Sequence, residues 1–254
     1  MEPLRVIITR PQAQVAAWQD CLTAAGIASV AAPLLAIEPV TAEAECQAIK
    51  NIVLDFDHYQ LAIFVSQNAV TYGGDWLDRY WPELPAGIQY LAVGRATAAK
   101  LRTLGVGVQE AGAAMNSEAL LALPELQQVA GSRVVIFRGC GGRALLGEEL
   151  QRRGASVDYC ELYHRRMPAS AGEQLAAVAP GPGDLFSVHS GETLDNLCQL
   201  LAAGAFNSFH TPVLVPGDRV ASMARQAGFK TVVKAENASD EAMLRALLTW
   251  RDSH

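Results

Sequence analysis

Arg5-Val-Ile-Ile-Thr-Arg10, near the start of the chain, and Arg133-Val-Val-Ile-Phe-Arg138, past its midpoint, are two versions of one phrase. Each is a short apolar run without polar alternation, the pattern of a parallel strand buried on both faces. Around them, Leu4–Thr9 and Arg133–Phe137 read as strands, as do Leu61–Ser66, Tyr90–Val93, Leu185–Val188, Pro212–Val215 and Thr231–Lys234. Between these lie stretches with helical periodicity: Ala13–Ala25, Thr97–Leu104, Ala144–Arg153, Thr193–Ala202 and Glu241–Trp250. Gly26, Gly105, Gly154 and Gly228 stand where a helix would stop on a residue of positive φ. Strand, helix, glycine stop and strand is the βαβ signature, so the class is α/β with parallel sheets.

The quoted pair begins an internal repeat. Gly-Ile-Ala-Ser-Val at 26–30 echoes Gly-Ala-Ser-Val at 154–157, following the strand offset of 128. Phe64-Val-Ser66 matches Val188-His-Ser190, Val93-Gly94-Arg95 matches Pro216-Gly217-Asp218, and Ser117-Glu-Ala-Leu-Leu matches Asp240-Glu-Ala-Met-Leu, at offsets of 123 or 124. A period near 125 residues is too long for a solenoid and indicates two domains of one fold related by duplication. Two further stretches, 34–40 and 158–164, look extended, sit at equivalent positions of the copies, and are expected to pair as a two-stranded hinge.

The 254 residues are 50% apolar and 18% charged with a net charge of −6, which suits one large or two ordinary domains and excludes a disordered chain. The basic runs stop at two residues, Arg152-Arg153 and Arg165-Arg166, so no nucleic-acid partner is expected. Five scattered cysteines without a C-x-x-C pair argue for a reducing compartment and against a disulfide framework or a zinc site. No signal peptide is visible, and the longest uncharged run, 17 residues from Cys21 to Ile37, is too short to span a membrane. A cytoplasmic protein without a membrane partner is expected.

Gly139-Cys-Gly141-Gly142-Arg143-Ala144 fits G-x-G-x-x-A after a strand, with Glu161 placed 22 residues on as a ribose-binding acid would be. A dinucleotide site, an anion loop flanked by Arg138 and Arg143, and a plain tight turn all fit it. Ser66-Gln67-Asn68 and Ser190-Gly191-Glu192 each lie between a strand and a helix, where they either cap the helix or grip an anion with free backbone N–H groups. Gly94 and Gly217 belong to the same strand-end rim, where open α/β sheets bind ligands. His189 is the one histidine at a strand end and so the candidate proton carrier, against a capping or solvent-facing role. No histidine spacing supports a metal site. Glu161 and Tyr163 alternate with Cys160 and Leu162 and are expected to project to one side of their strand.

Six motifs in order resemble the bacterial uroporphyrinogen-III synthase family over essentially the full chain. They are Ile8-Thr9-Arg10-Pro11, Ile63-Phe-Val-Ser66-Gln-Asn68-Ala-Val70, Ala92-Val-Gly94-Arg-Ala-Thr97-Ala, Arg138-Gly139-x-Gly141-Gly142-Arg143 with Leu145, Arg153-Gly154-Ala-x-Val157 and Glu161-x-Tyr163-x-Arg165. The resemblance implies two flavodoxin-like domains joined by a two-stranded β-ladder, with the cleft between them as active site. It divides the chain into a discontinuous first domain (1–36 and 168–254), a second domain (43–158) and linker strands (37–42 and 159–167). It also implies cyclisation of the linear tetrapyrrole hydroxymethylbilane to uroporphyrinogen III, with inversion of ring D and loss of water.

Within that resemblance Tyr163 matches the tyrosine proposed to assist departure of the hydroxyl, as general acid. Substrate carboxylates fall to Arg10, Arg138, Arg143 and His189 and to the backbone around Ser66, Gln67, Asn68, Gly94, Gly139, Ser190, Gly191 and Gly217. No cofactor or metal is implied. The expected protein is a monomer that receives its substrate from the upstream deaminase. A ligand-binding module without chemistry and a dinucleotide-dependent oxidoreductase using Gly139–Ala144 are the alternatives.

Overall fold

The computed structural model describes residues 3–110, 117–142, 144–204 and 209–253. In chain order it opens with β1 (Arg5–Ile8), α1 (Val15–Ala24) and β2 (Ala28–Ala31), then β3 (Ala36–Pro39), α2 (Glu43–Leu54), β4 (Leu61–Phe64) and α3 (Gln67–Tyr80). It continues with β5 (Gln89–Ala92), α4 (Arg95–Arg102), β6 (Val108–Glu110), α5 (Ser117–Leu121), β7 (Arg133–Gly139), α6 (Leu145–Arg152) and β8 (Ser156–Arg166). The last part holds α7 (Ala171–Val178), β9 (Asp184–Ser187), α8 (Gly191–Ala202), β10 (Val213–Pro216), α9 (Gly217–Ala227), β11 (Val232–Ala235) and α10 (Asp240–Arg251). The four helix-stop glycines, Gly26, Gly105, Gly154 and Gly228, all have positive φ, between 71° and 106°.

The chain forms two compact units, Met1–Ala36 with Arg166–His254 and Ile37–Arg165. The first holds a five-stranded sheet in the order β11-β10-β9-β1-β2, and its paired strands are all parallel. In the second unit the order is β3-β8-β7-β4-β5-β6, with β8 through β6 parallel and β3 at the edge beside β8. Strand for strand, β2-β1-β9-β10-β11 corresponds to β8-β7-β4-β5-β6, which gives the repeat its physical meaning. The tandem copies do not fold separately. The front of the first copy pairs with the back of the second, and the remaining halves pair with each other.

Both faces of each sheet are covered, which is why the strands read as unbroken apolar runs. On β1, Val6 and Ile8 enter one cluster with α1 and α10, whereas Ile7 enters the other with α7, α8 and α9. On β4 and β7, Phe64 and Phe137 stack at 4.4 Å between ring centroids on the α2–α3–α4 side, while Ile63 and Ile136 face α5 and α6. Among the described residues no helix is long and apolar enough to cross a membrane.

Arg5 and Asp184 clamp β1 to β9, with Nε on Oδ1 and Nη2 on Oδ2, both at 2.7 Å, and the Gly181 N–H donates to Oδ2 at 2.8 Å. Burial pushes the Asp184 carboxyl up, but these hydrogen bonds and the Arg5 charge together hold it below its ordinary 3.8. A carboxylate depressed in the folded state contributes stability that is complete above the unfolded pKa and is lost as pH falls through the folded one. Asp184→Asn is expected to cost about 1–3 kcal/mol at pH 7, because the Arg5 side of the pair is partly solvated. Urea unfolding should show that gap closing once the pH drops below the ordinary 3.8.

Candidate active site

In the second unit the predicted residues gather at the carboxyl ends of β4, β5, β7 and β8. Ser66 follows β4 and caps α3, its Oγ accepting the Ala69 N–H at 3.1 Å. The same oxygen lies 2.9 Å from the Tyr163 hydroxyl. Tyr163 is 3% exposed, and its ring tilts against Tyr72 at 5.5 Å. Tyr72 donates to the Ile37 carbonyl at 3.2 Å, and burial, followed by the charges of Asp75 and Tyr163, pushes its phenol up.

The shared side expected for Glu161 and Tyr163 is corrected by a β-bulge. Arg138 is registered with Glu161, but Gly139 is registered with Tyr163, so Leu162 is skipped. One extra residue shifts the alternation by a step. Tyr163 therefore enters the same apolar cluster as Cys160 and Leu162, whereas the Glu161 side chain is 44% exposed. Gly139 makes this possible, because a Cβ there would come within 2.6 Å of Cε2 of the Tyr163 ring.

The glycine loop supplies its own anion. Glu161 Oε1 accepts the Gly141 N–H at 3.2 Å and stands 3.8 Å from Arg138 Nε. Arg138 is 6% exposed, lies 4.9 Å from the Tyr159 ring centre and donates through Nε to the Gly139 carbonyl at 3.3 Å. The acid that a dinucleotide site would send to a ribose is thus spent on the loop itself, which favours the tight-turn reading. Arg143 lies outside the described residues. Gly94, at φ 84°, turns the chain from β5 into α4. Gln67 is exposed and Asn68 half-buried in the first turn of α3, where α-helical geometry leaves backbone N–H groups without an intrahelical partner.

The first unit carries the counterpart set. Arg10, just past β1, puts Nη1 on Asp240 Oδ1 at 2.7 Å in the first turn of α10, and its Cζ lies 6.0 Å from the Trp18 ring centre. Trp18 donates to Ser187 Oγ at 3.0 Å and meets the His189 ring edge-on at 5.5 Å. Both His189 nitrogens are buried without a hydrogen-bond partner. Burial, and then the Arg10 charge, pull its pKa down to about 3. This burial disfavours the charged imidazole and keeps both ring nitrogens from solvent, although the residue as a whole is half-buried. Ser190 caps α8, accepting the Thr193 N–H at 3.2 Å, with its Oγ 2.8 Å from Thr193 Oγ1. Gly217, at φ 66°, opens α9.

Three side chains at these edges escaped the sequence reading: Trp18, Asp240 and Arg219. A Cβ on Gly191 would lie 3.0 Å from Arg219 Nη1, so this guanidinium sits over the start of α8. Its signal in the sequence was its place two residues after Gly217.

Two parallel sheets with one strand order, and with polar and glycine residues at their carboxyl edges, define a two-domain α/β protein of flavodoxin-like topology. A family model described as "Uroporphyrinogen-III synthase HemD" matches residues 16–245. The uroporphyrinogen-III synthase of Salmonella typhimurium is 35% identical over 248 residues, covering 96% of this chain and 100% of that protein. The Escherichia coli synthase is 38% identical over 194 residues, covering 74% and 78%. Among solved structures, a mutant uroporphyrinogen III synthase from Thermus thermophilus matches with a TM-score of 0.67 at 18% identity, over 99% of this chain and 100% of that one. A uroporphyrinogen-III synthetase from Helicobacter pylori gives 0.62 at 16%, over 98% and 100%. At such identity these two speak for the fold alone. The chain belongs to the uroporphyrinogen-III synthase family.

Gly139→Ala is expected to push the Tyr163 ring off its strand and cost about 1–3 kcal/mol, as overpacking does. Ser66→Ala, which removes a helix cap and the phenol's partner together, is expected to cost about 1–2 kcal/mol. Chemical denaturation checks both.

Proposed function

We propose that this chain is a uroporphyrinogen-III synthase, converting hydroxymethylbilane to uroporphyrinogen III and water. Family membership along nearly the whole chain carries this reading. The Tyr163 phenol held on Ser66 Oγ adds a proton donor at a motif position.

The hydroxyl of the ring-A hydroxymethyl group leaves as water when its oxygen receives a proton. The methylene left behind, with loss of the pyrrole N–H proton, becomes an electrophilic azafulvene. Ring D attacks through its substituted carbon to form a spiro intermediate, whose cleavage and reclosure invert the ring. Unassisted closure gives the symmetric isomer, so the protein's chief task is holding one folded shape of the chain. Orientation of this kind supplies roughly 7–11 kcal/mol, against ~10²–10⁴-fold for a placed acid. Tyr163 is assigned the proton delivered to the departing hydroxyl.

Substrate carboxylates are assigned to the first-turn N–H groups of α3 and α8, to the turns at Gly94 and Gly217, and to Arg10 and Arg219. Arg138 and Gly139 serve this reading through the loop they shape. The enzyme is further read as a cytoplasmic monomer that receives hydroxymethylbilane from the deaminase that makes it.

The direct test generates hydroxymethylbilane in situ, adds this protein, oxidises the products and separates uroporphyrin I from III. Dominant isomer III is expected; isomer I alone, from folded protein, overturns the reading. Tyr163→Phe is expected to lower the rate of isomer III formation by about 10²-fold without abolishing it. A loss below about threefold would remove Tyr163 from the acid's role and leave orientation as the whole of catalysis.

A further inference from the structure

Among the described residues, one cluster outside the proposed chemistry brings together three different metal-ligating side chains. Cys140 immediately follows β7, His164 lies on β8, and Glu45 is in the first turn of α2. A sulfur, a ring nitrogen and a carboxylate oxygen from these residues all lie within 4.8 Å of one another. His164 Nε2 and Glu45 Oε1 are 3.5 Å apart.

The backbone sets this convergence. The Cys140 N–H donates to the Tyr163 carbonyl at 2.8 Å, so residue 140 is fixed beside residue 164 just past the bulge. From the covering layer, α2 is anchored by Ile49 and Val53 in the same cluster as Cys160 and Leu162, which brings Glu45 to the strand ends. His164 is 22% exposed and Glu45 44%, so the group is open to solvent but rests on firm elements.

We propose that Cys140, His164 and Glu45 form a binding site for a zinc-class divalent transition-metal ion. A thiolate and an imidazole select such an ion over magnesium or calcium, which require oxygen donors. Tetrahedral zinc, with bonds of about 2.0–2.3 Å, holds its donors roughly 3.3–3.8 Å apart, so closing the set needs movement of about 1 Å. Three protein ligands leave the fourth corner to water. The ion takes no part in the cyclisation. It ties α2 to the ends of β7 and β8, one residue from Gly139 and Tyr163, and stabilises the folded chain by mass action.

The test titrates the full-length, reduced protein with Co²⁺ as a spectroscopic stand-in for Zn²⁺. One equivalent per chain is expected, with the visible bands of tetrahedral cobalt and a near-ultraviolet sulfur-to-cobalt charge-transfer band, both displaced by Zn²⁺. Cys140→Ser is expected to remove the charge-transfer band. Glu45→Gln, a change at a solvent-facing helix start, is expected to weaken binding at least about tenfold, since even loss of a group behind a ligand costs that much. Cys21→Ser, on α1, is expected to leave the titration unchanged. A titration without the charge-transfer band, a band that survives Cys140→Ser, or affinity untouched by Glu45→Gln would each overturn the site.

Discussion

The first sheet exists because β1 pairs with β9 across a stretch of chain that includes the entire second unit. Arg5 lies against Asp184 and Ile8 against Ser187, and the Thr9 Oγ1 hydroxyl donates to the Ser187 carbonyl at 2.8 Å. The Arg5–Asp184 pair spans 179 positions. Loop closure over such a length costs entropy that grows only logarithmically, so the pairing is affordable once both apolar faces are buried. Everything placed at the carboxyl edge of that sheet, from Arg10 on Asp240 to Trp18 on Ser187 Oγ, inherits its position from this contact.

Charge at the strand ends is arranged in the same economical way. The protein is net negative, and two of the arginines at the strand ends are paired with acids: Arg10 with Asp240, and Arg138 with Glu161. Such pairs fix a guanidinium in space at the expense of its field. On the proposed reading, recognition of a polycarboxylate then leans on peptide N–H groups at helix starts, which carry partial positive charge without needing a counterion.

Strands buried on both faces were legible because burial leaves an unbroken apolar run, as in Val134–Phe137. β6, at a sheet edge with polar residues such as Gln109 and Glu110, left no such trace, whereas β3 at the other edge lies inside the stretch 34–40 that read as extended. The start of α3 was marked by Ser66, but its body was masked by Gly73 and Gly74, poor helix formers on propensity. A Cβ at Gly73 would stand 3.0 Å from Phe137 and 3.1 Å from Phe64, so packing overrides propensity there. At the site, Ser66 and Ser190 were readable because capping is local. The face taken by Tyr163 was not, because a bulge breaks the period from which a face is inferred. Nor were Arg219 above Gly191, or Glu45 beside Cys140 and His164, since those neighbours are joined only by tertiary structure.

The crossed pairing of the duplicated halves has a consequence in time. When Arg165 leaves the ribosome, every strand of the second sheet has been synthesised, whereas β1 and β2 have waited since the start of translation for β9, β10 and β11. The counterpart of β9 already made in that interval is β4, whose proper neighbours are β7 and β5. Duplicated halves that stayed alike would compete for each other's partners, a recognised route to misassembly. Divergence is what sorts them. Arg5 finds a carboxylate at Asp184 on β9, whereas the matching position before β4 is the uncharged Gln60, so an ion pair at the first rung separates the intended partner from its sibling.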